Sequence, residues 1–317
     1  MPEVKWMQQS FGVMAHWTIR TMPRTGEPTA DWNARVDAFD VDQLVDTLCE
    51  MGASWLVFTC GHCGDGFCSP NAAMDDYFPG HCSERDLILE LAKALHARGL
   101  HLIVYFQTEI DHESQAMRDA LGWDLHPSDK SVFMDRWIKV LRTYALQWGE
   151  YVDGWWFDSC YDSDAKTFLR TCGSGWDNSR FDHDTWFNAA RVGNPNAIIS
   201  MNSGVQHEKH IPVYADEDYL GGESNDLSVR PADGPLQDGI QWHGLVWIDC
   251  FWGHFEKPGT IESPRFTDEQ LRDYLQTCWQ HQGGVTFNVG IYQDGTLAPQ
   301  TVEQIKRIHA SHQLSGI

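Results

Sequence analysis

Short apolar segments alternate with longer amphipathic segments along almost the whole of this 317-residue chain. The apolar segments are typical of buried β-strands, whereas residues 41–51 and 132–148 carry apolar side chains at helical spacing. Strands that alternate with helices imply a parallel sheet with right-handed crossovers. Because eight strands are predicted in a chain of this length, the pattern favours a closed barrel over an open sheet. We therefore expect an α/β protein, a (β/α)8 TIM-like barrel that forms one domain over residues 1–317.

The boundaries of the predicted elements follow from hydrophobic period and from glycine positions. The predicted strands cover residues 11–17, 54–59, 100–106, 152–157, 197–201, 214–219, 244–251 and 284–289. The predicted helices cover residues 41–51, 84–98, 132–148, 182–192, 268–282 and 299–309. The sixth strand has the weakest pattern, because the residues around it are acidic and rich in glycine. Residues 221–239 are too long for a simple connection, which predicts an active-site loop there.

Acidic residues outnumber basic ones by 45 to 23, which gives a formal net charge of −22. Such a surface repels nucleic acids and anionic membranes, and no apolar run reaches transmembrane length. It also disfavours strongly anionic substrates, unless a local cluster such as Arg20 and Arg24 outweighs the overall charge. The nine cysteines are an odd number in a chain too long to need disulfides, and no signal-peptide pattern is visible. These features predict a cytoplasmic protein with no nucleic-acid or membrane partner.

The segment from Trp155 to Asp158 is the apolar end of a predicted strand that finishes in a carboxylate. A carboxylate beside two tryptophans and a phenylalanine is costly to bury unless it is paired or used in a reaction. In a (β/α)8 barrel, the residues after each strand meet at one mouth, where the chemistry takes place. The alternative interpretation is that Asp158 only caps the helix that follows it.

The other strand ends carry polar and aromatic side chains that would meet at the same mouth. They are His16, Trp17, His62, Cys63, Asp65, Gln107, Glu109, Asn202, Glu223, Asp249, Trp252 and Asn288. Two carboxylates among histidines and tryptophans are typical of glycosidases, which need a nucleophile or base and a carboxylic acid that protonates the leaving oxygen. The 15 tryptophans include candidates for platforms under sugar rings, although core packing is the default role of most of them.

A metal site is the competing interpretation of part of this set. Cys60, Cys63 and Cys68, with His62 and residues 81–82 nearby, are of the types that bind zinc. The spacing is loose and lacks a second Cys-x2-Cys pair, and small buried cysteines are common in strands. We therefore predict no metal and no cofactor. A metal-dependent barrel hydrolase stays open as an alternative.

Several of these motifs resemble those of the α-L-fucosidases of glycoside hydrolase family 29, in order and over nearly the whole barrel. The similar segments are Phe11-Gly12-Val13-Met14-Ala15-His16-Trp17, Asp31-Trp32, Arg85-Asp86-Leu87, Trp156-Phe157-Asp158, Asp218-Tyr219-x-x-x-Glu223, Phe251-Trp252-Gly253-His254, and Gly283-Gly284-Val285-Thr286-Phe287-Asn288-Val289-Gly290 with Asp294-Gly295-Thr296. The resemblance implies a retaining α-glycosidase with a carbohydrate substrate. It puts Asp158 at the position of the nucleophile and Glu223 at that of the acid/base.

The resemblance also implies a sugar site and shows where this chain departs from the family. The implied substrate-binding residues are His16, Trp17, Trp32, His62, Cys63, Tyr105, Asn202 and Trp252, and the alternative acids are Glu109 and Asp249. The family's adjacent histidine pair is replaced by Cys63 and Gly64, and the arginine expected after the fifth strand is Gly204. Sites built to bind a hydroxyl discriminate strongly, so these losses predict a sugar preference other than L-fucose, or weak fucosidase activity.

Two further expectations concern the rest of the molecule. The family's C-terminal β-sandwich has no counterpart in the predicted elements, so we expect the barrel alone. A carbohydrate-binding barrel without turnover stays open as a second alternative, and exposed tryptophans would allow a homo-oligomer.

Overall fold

Eight parallel strands form the central sheet of the structure, which is a computed structural model that describes residues 3–62, 66–126, 129–160 and 182–315. The strands in chain order are β1 (Phe11–Ala15), β2 (Trp55–Thr59), β3 (His101–Gln107), β4 (Gly154–Asp158), β5 (Ile198–Met201), β6 (Glu223–Ser224), β7 (Leu236–Gln237), β8 (Ile240–Gln241), β9 (His243–Trp247) and β10 (Gly284–Asn288). Strands β7 and β8 pair antiparallel with each other, outside the central sheet.

Helices follow the strands and cover the outside of the sheet. They are α1 (Trp32–Asp37), α2 (Val41–Met51), α3 (Ala72–Tyr77), α4 (Leu87–Ala97), α5 (Gln115–Leu121), α6 (Ser131–Trp148), α7 (His183–Ala190), α8 (Asp268–Gln280) and α9 (Pro299–Ser315). The six longer helices match the predicted ones to within a few residues. The short helices α1, α3 and α5 were not predicted, and each begins at a side-chain cap, which is Asp31, Asn71 and Ser114 respectively. No helix of the described residues is both long enough and apolar enough to cross a membrane.

The strand order is β5-β4-β3-β2-β1-β10-β9-β6, so two strands that are consecutive in the chain lie at the two ends of the sheet. Backbone hydrogen bonds join these ends: Gln206 donates to the Glu223 carbonyl at 2.9 Å, and Asp218 donates to the Ile199 carbonyl at 2.9 Å. The sheet therefore curls into a barrel, and the predicted (β/α)8 architecture is confirmed. All carboxyl ends of the strands lie on one side, where barrel enzymes bind their substrates.

The predicted sixth strand over residues 214–219 is wrong in position. The sixth strand of the barrel is the two-residue segment β6, a few residues further along the chain. The predicted segment does lie beside β5, but side-chain carboxylates accept hydrogen bonds that backbone carbonyls would accept in a regular strand pair. Asp218 accepts from the Ile199 N–H at 2.7 Å, and Glu217 accepts from the Met201 N–H at 2.8 Å. Acidic side chains thus satisfy N–H groups that a regular strand pair would have used.

The barrel strands separate two apolar layers. Alternate residues of β1 face opposite sides, so Met14 packs inside the barrel while Val13 and Ala15 pack against the helices. The inner layer includes Trp55, whose indole lies where a Cβ on Gly12 would stand, at 2.1 Å from Nε1. Glycine at position 12 therefore makes room for this large ring below the mouth of the barrel.

Candidate active site

Asp158 is the last residue of β4 and lies at the mouth of the barrel, with only 7% of its surface exposed. Its backbone carbonyl accepts hydrogen bonds from both the N–H and the hydroxyl of Thr108, at 3.0 Å and 2.8 Å. Ser159, the next residue, has a φ of 67°, an uncommon conformation for a residue with a side chain. The end of the strand is thus held in place while the chain turns sharply away from it.

Both carboxylate oxygens of Asp158 accept hydrogen bonds from buried side chains. The Tyr105 hydroxyl donates to Oδ2, and the Asn202 amide donates to Oδ1 at 2.8 Å. Because the tyrosine hydrogen is directed at Asp158, the tyrosine oxygen accepts from His62 Nδ1, which lies 2.8 Å away. These two hydrogen bonds fix the orientation of the buried carboxyl group.

Glu223 is the first residue of β6 and faces the same mouth, with 6% of its surface exposed. Its Oε2 accepts a hydrogen bond from the same Asn202 amide nitrogen that contacts Asp158. Burial, and next the charge of Asp158, raise the pKa of Glu223 from its ordinary value of 4.5 to about 8, against the opposing effect of the Asn202 hydrogen bond. At neutral pH the site therefore holds one proton on Glu223, next to a carboxylate that is bonded to two donors.

Asn202 sets the distance between the two carboxyl groups. Since one nitrogen donates to an oxygen of each group, those oxygens are no more than about two hydrogen-bond lengths, or about 6 Å, apart. The Asn202 carbonyl oxygen accepts from the Gly204 N–H at 3.0 Å, which holds the amide in this orientation. A separation of this order is closer to the about 5–5.5 Å between the carboxyl groups of retaining glycosidases than to the about 6.5–9.5 Å of inverting ones.

His16 lies beside the two carboxyl groups and is uncharged at neutral pH. Burial, and next the charge of His62, lower the pKa of His16 from 6.5 to about 4. Its Nδ1 lies 2.8 Å from the Asn288 side-chain oxygen, so Nδ1 carries the hydrogen and donates it. The neutral imidazole is thus fixed in one tautomer at the inner wall of the site.

A cavity of about 560 Å³ opens above these groups. Its lining residues are His16, His62, Trp156, Asp158, Val205, His207, Glu223, Asn225, Phe251, Trp252 and Phe255. The size and the mixture of apolar walls with a few polar groups suit a small ligand such as a sugar ring. Trp252 has a φ of 57°, which is a strained backbone conformation for a bulky residue and is found mostly where function requires it.

The structure brings together most, but not all, of the predicted site residues. His16, His62, Asp158, Glu223 and Trp252 line the cavity. The side chains of Tyr105 and Asn202 are fully or almost fully buried and contact the carboxyl groups instead of lining the cavity. Cys63 and Asp65, which were predicted to lie at the same mouth, are outside the described residues.

Trp17 and Trp32, which were predicted as sugar contacts, do not line the cavity. The two rings pack against each other, with centroids 5.3 Å apart, on the outer side of the strands. The Trp17 indole donates to the Gln293 carbonyl at 3.1 Å, and the Trp32 indole donates to the Phe67 carbonyl at 3.0 Å. For Trp17 the reason is that the alternation of β1 continues past its last residue, Ala15, so that His16 faces the barrel mouth and Trp17 faces the helices.

The cavity also contains residues that sequence reasoning missed. Val205, His207, Asn225 and Phe255 lie in the connections after β5, β6 and β9, and Trp156 comes from inside the barrel. Val205, His207 and Phe255 follow no strand end directly, and Asn225 follows β6, a strand whose position was not predicted. Trp156 was detectable, because in β4 it shares a face with Asp158 two residues later.

The alternative acids have other positions in the structure. Asp249 is buried and accepts from the N–H groups of Cys250 and Gly290 and from the Thr301 hydroxyl, so its carboxylate fixes backbone. Glu109 does not line the cavity. Within residues 3–62, 66–126, 129–160 and 182–315, no group of three His, Cys, Asp or Glu side chains is arranged to hold a metal ion.

Comparison with known proteins relates this geometry to a family. The family model for α-L-fucosidases matches residues 28–311. The chain belongs to the α-L-fucosidase family. The protein is therefore a glycoside hydrolase, and its substrates are carbohydrates. No curated protein sequence matches the chain.

Solved structures of this family and of a related one share the fold. α-L-Fucosidase isoenzyme 1 from Paenibacillus thiaminolyticus is 21% identical, with a TM-score of 0.67 over 99% of this chain and 76% of that chain. The α-L-fucosidase AlfC from Lactobacillus casei, in complex with the product α-L-fucose, is 17% identical, with a TM-score of 0.65 over 98% of both chains. An endo-fucoidan hydrolase of glycoside hydrolase family 107 is 13% identical, with a TM-score of 0.68 over 98% of this chain and 93% of that chain.

Proposed function

We propose that the protein is a retaining α-glycosidase that releases a terminal α-L-fucosyl group, or a closely similar sugar, with Asp158 as nucleophile and Glu223 as acid/base. The observation that carries this proposal is the pair of carboxyl groups held by one Asn202 amide, with the proton on Glu223. Retaining glycosidases need a charged nucleophile and a protonated acid about 5–5.5 Å apart, and both requirements fit this geometry.

In the first step, an Asp158 oxygen attacks the anomeric carbon while Glu223 donates its proton to the glycosidic oxygen. The leaving alcohol departs, and the sugar stays bound to Asp158 as an ester. The Tyr105 and Asn202 donors hold the attacking carboxylate in position throughout. The aspartate charge disappears in this step, so Glu223, now ionised, no longer faces a second negative charge.

In the second step, Glu223 acts as a base. It removes a proton from a water molecule that attacks the same anomeric carbon from the side the alcohol left, and the ester bond to Asp158 breaks. Two inversions give a product with the configuration of the substrate. Glu223 ends with a proton and Asp158 with its charge, so the site returns to its starting state.

The cavity walls support a sugar that has both an apolar side and hydroxyl groups. Trp156, Val205, Trp252 and Phe255 offer apolar surface, which suits a methyl group or the C–H face of a pyranose ring. His16 is buried and His62 is half-buried, and desolvation lowers the pKa of each imidazole, so both are neutral groups for hydroxyl recognition. Cys63, Gly64 and Gly204 stand where the family has its histidine pair and its arginine, so the sugar preferred is L-fucose or another 6-deoxy sugar with different hydroxyl groups.

The proposal is tested by the turnover of a panel of aryl α- and β-glycosides that includes the α-L-fucoside. We expect α-L-fucoside or a related 6-deoxy-α-glycoside to be hydrolysed, and the β-anomers to be inert. A Glu150→Gln variant, which changes an exposed acid at the other end of the barrel, serves as the control. Binding of a sugar to the folded wild type without turnover of any glycoside would contradict the enzymatic proposal and favour a carbohydrate-binding barrel.

The pH dependence of kcat/KM is expected to reflect the raised pKa of Glu223. The acid must carry its proton in the free enzyme, so kcat/KM should hold up to pH about 8 and then fall up to tenfold for each further pH unit. Initial rates on the responsive glycoside between pH 5 and 10 measure this limb. A fall in kcat/KM that begins near pH 5 would mean that the acid has the ordinary pKa of a glutamate, which would contradict the assignment.

The same ionisation should appear in stability, independently of turnover. Between pH 4.5 and 8 the unfolded chain releases the Glu223 proton while the folded chain retains it, so the folded state loses stability as pH rises. Glu223→Gln has no proton to release. We therefore expect the Tm difference in favour of the Gln variant to widen from pH 5 to pH 8, and a constant difference would contradict the raised pKa.

Asn202→Ala is expected to lower kcat by about 10- to 100-fold, with a smaller change in KM. The variant removes a hydrogen bond to the charged Asp158, which is typically worth about 1.5–3 kcal/mol, and a weaker one to the neutral Glu223. Because the Asn202 hydrogen bond lowers the pKa of Glu223, its loss should also move the upper limb of the pH profile to higher pH. If the variant had a lower Tm but the same upper limb of the pH profile as the wild type, Asn202 would act only through the stability of the fold.

A further inference from the structure

A positive charge lies at the mouth of the cavity in an otherwise acidic protein. The guanidinium carbon of Arg20 lies 5.3 Å from the centre of the Phe255 ring, and Phe255 lines the cavity. Arg20 is itself exposed to solvent. The cation–aromatic contact keeps the long side chain over the cavity wall and limits its freedom to turn away.

The charge of the Arg20 side chain is unpaired among the residues that the structure describes. Within the described part of the chain, its guanidinium has neither an ion pair nor a hydrogen bond, although carboxylates outnumber cationic side chains by 45 to 23. Other arginines of the barrel, such as Arg98 and Arg191, are paired with aspartates. The five donors of Arg20 are therefore available to a ligand.

The charge of Arg20 acts on a residue that lines the cavity. Burial is the main cause of the lowered pKa of His62, and the positive charge of Arg20 contributes in the same direction. His62 also lines the cavity, so Arg20 and the sugar site share one electrostatic environment. Apolar walls such as Phe251 and Trp252 lower the local dielectric, which strengthens attraction between Arg20 and an anionic ligand.

We propose that Arg20 binds an anionic substituent of the substrate, a sulfate ester or a carboxylate, so that the preferred substrates are anionic fucosylated glycans. This inference rests on the proposed function, because it places the reacting sugar at Asp158 and Glu223 and the anion at the rim. A guanidinium presents two parallel donors that match the oxygens of a carboxylate or a sulfate. With a formal net charge of −22, the rest of the surface repels anions, so the selection depends on this local cation.

Equilibrium binding tests this proposal without requiring turnover. Calorimetry at low salt measures the binding to the full chain of four ligands that the proposed reaction does not cleave: L-fucose, an L-fucose monosulfate, a thio-linked disaccharide of L-fucose with glucuronic acid, and the matching thio-linked disaccharide with glucose. We expect at least one anionic ligand to bind about tenfold more tightly than its neutral counterpart, since one charge-assisted contact is worth at least that factor. The ligand whose affinity increases shows whether Arg20 binds a sulfate on the fucose or a carboxylate on the neighbouring sugar.

Matched variants assign the effect to Arg20. Arg20→Gln should abolish the anionic preference, and Arg20→Lys should retain part of it. Arg24→Gln removes an exposed arginine that has no ring contact in the described structure, and it should leave the preference unchanged. Equal affinities for anionic and neutral ligands in the wild type, or a preference that survives Arg20→Gln, would overturn the proposal and leave Arg20 with only its contact to Phe255.

Hydrolysis of the neutral aryl α-L-fucoside is measured on the same proteins. Arg24→Gln should keep turnover of this neutral substrate close to that of the wild type, because Arg24 is exposed and does not line the cavity. Turnover without an anionic preference would refute the Arg20 proposal alone, whereas an anionic preference without turnover of any fucoside would refute the proposed function alone.

Discussion

Asp158→Gly is expected to lower kcat/KM for an aryl α-L-fucoside by about 10⁴-fold, because it removes the group that forms the covalent intermediate. The loss should be insensitive to the leaving group, since attack on the anomeric carbon is needed for good and poor leaving groups alike. The variant also removes a carboxylate to which Tyr105 and Asn202 are bonded, so CD and thermal unfolding must show an intact barrel.

Added azide should restore activity to Asp158→Gly, and the configuration of the azide product should show from which face of the sugar the nucleophile attacks. The glycine leaves a space beside the anomeric carbon, and a small anion in that space attacks from the side that the carboxylate occupied. The product should therefore be the β-L-fucosyl azide, which is inverted relative to the substrate. No azide product from a folded variant would contradict the nucleophile assignment, and undiminished hydrolysis would exclude Asp158 from the reaction.

Glu223→Ala is expected to show a loss that depends on the leaving group. An unactivated fucosyl disaccharide needs protonation of its glycosidic oxygen, so its kcat/KM should fall by about 10²- to 10⁴-fold. A dinitrophenyl α-L-fucoside leaves without protonation, so the first step on this substrate should change little. The fall in kcat/KM above pH about 8 should also disappear in the variant, because the group that titrates there is gone.

Azide distinguishes the role of Glu223 from that of Asp158. With Glu223→Ala, azide replaces water in the second step and attacks the glycosyl-enzyme, so the product should be the α-L-fucosyl azide. Opposite azide anomers from the two variants would assign both roles in one experiment. Equal losses on the disaccharide and on the dinitrophenyl substrate would contradict Glu223 as the acid and direct attention to other carboxyl groups of the mouth.

The barrel and the position of Asp158 were predictable because both depend on local patterns. Apolar residues that recur every second residue predict the strands, and those that recur every 3.6 residues predict the helices. Since the carboxyl ends of parallel strands all lie at one end of a barrel, the residues that follow them predict its mouth. The same period could have excluded Trp17 from the sugar site, because His16 and Trp17 are neighbours and must face opposite sides of β1. Trp156 could have been included by the same argument from Asp158.

Other features depend on contacts between distant segments. The sequence of residues 214–219 allows a strand, but whether Glu217 and Asp218 bond to backbone N–H groups depends on how β5 passes beside them. Asn202 was predicted as a sugar contact, whereas its amide connects two carboxyl groups that come from β4 and β6. A single sequence carries no signal for such a bridge, because each partner is defined only when the sheet has curled.

The most direct test of the account is mass spectrometry of the enzyme after reaction with 2-deoxy-2-fluoro-α-L-fucosyl fluoride. The 2-fluorine slows both steps by destabilising the oxocarbenium-like transition state, while the fluoride leaving group keeps the first step fast enough for the intermediate to accumulate. The account predicts a mass increase of one fluorosugar per chain, located on the peptide that contains Asp158. A sugar bound to a different residue, or an enzyme that hydrolyses the α-L-fucoside and releases the β-anomer first, would contradict it.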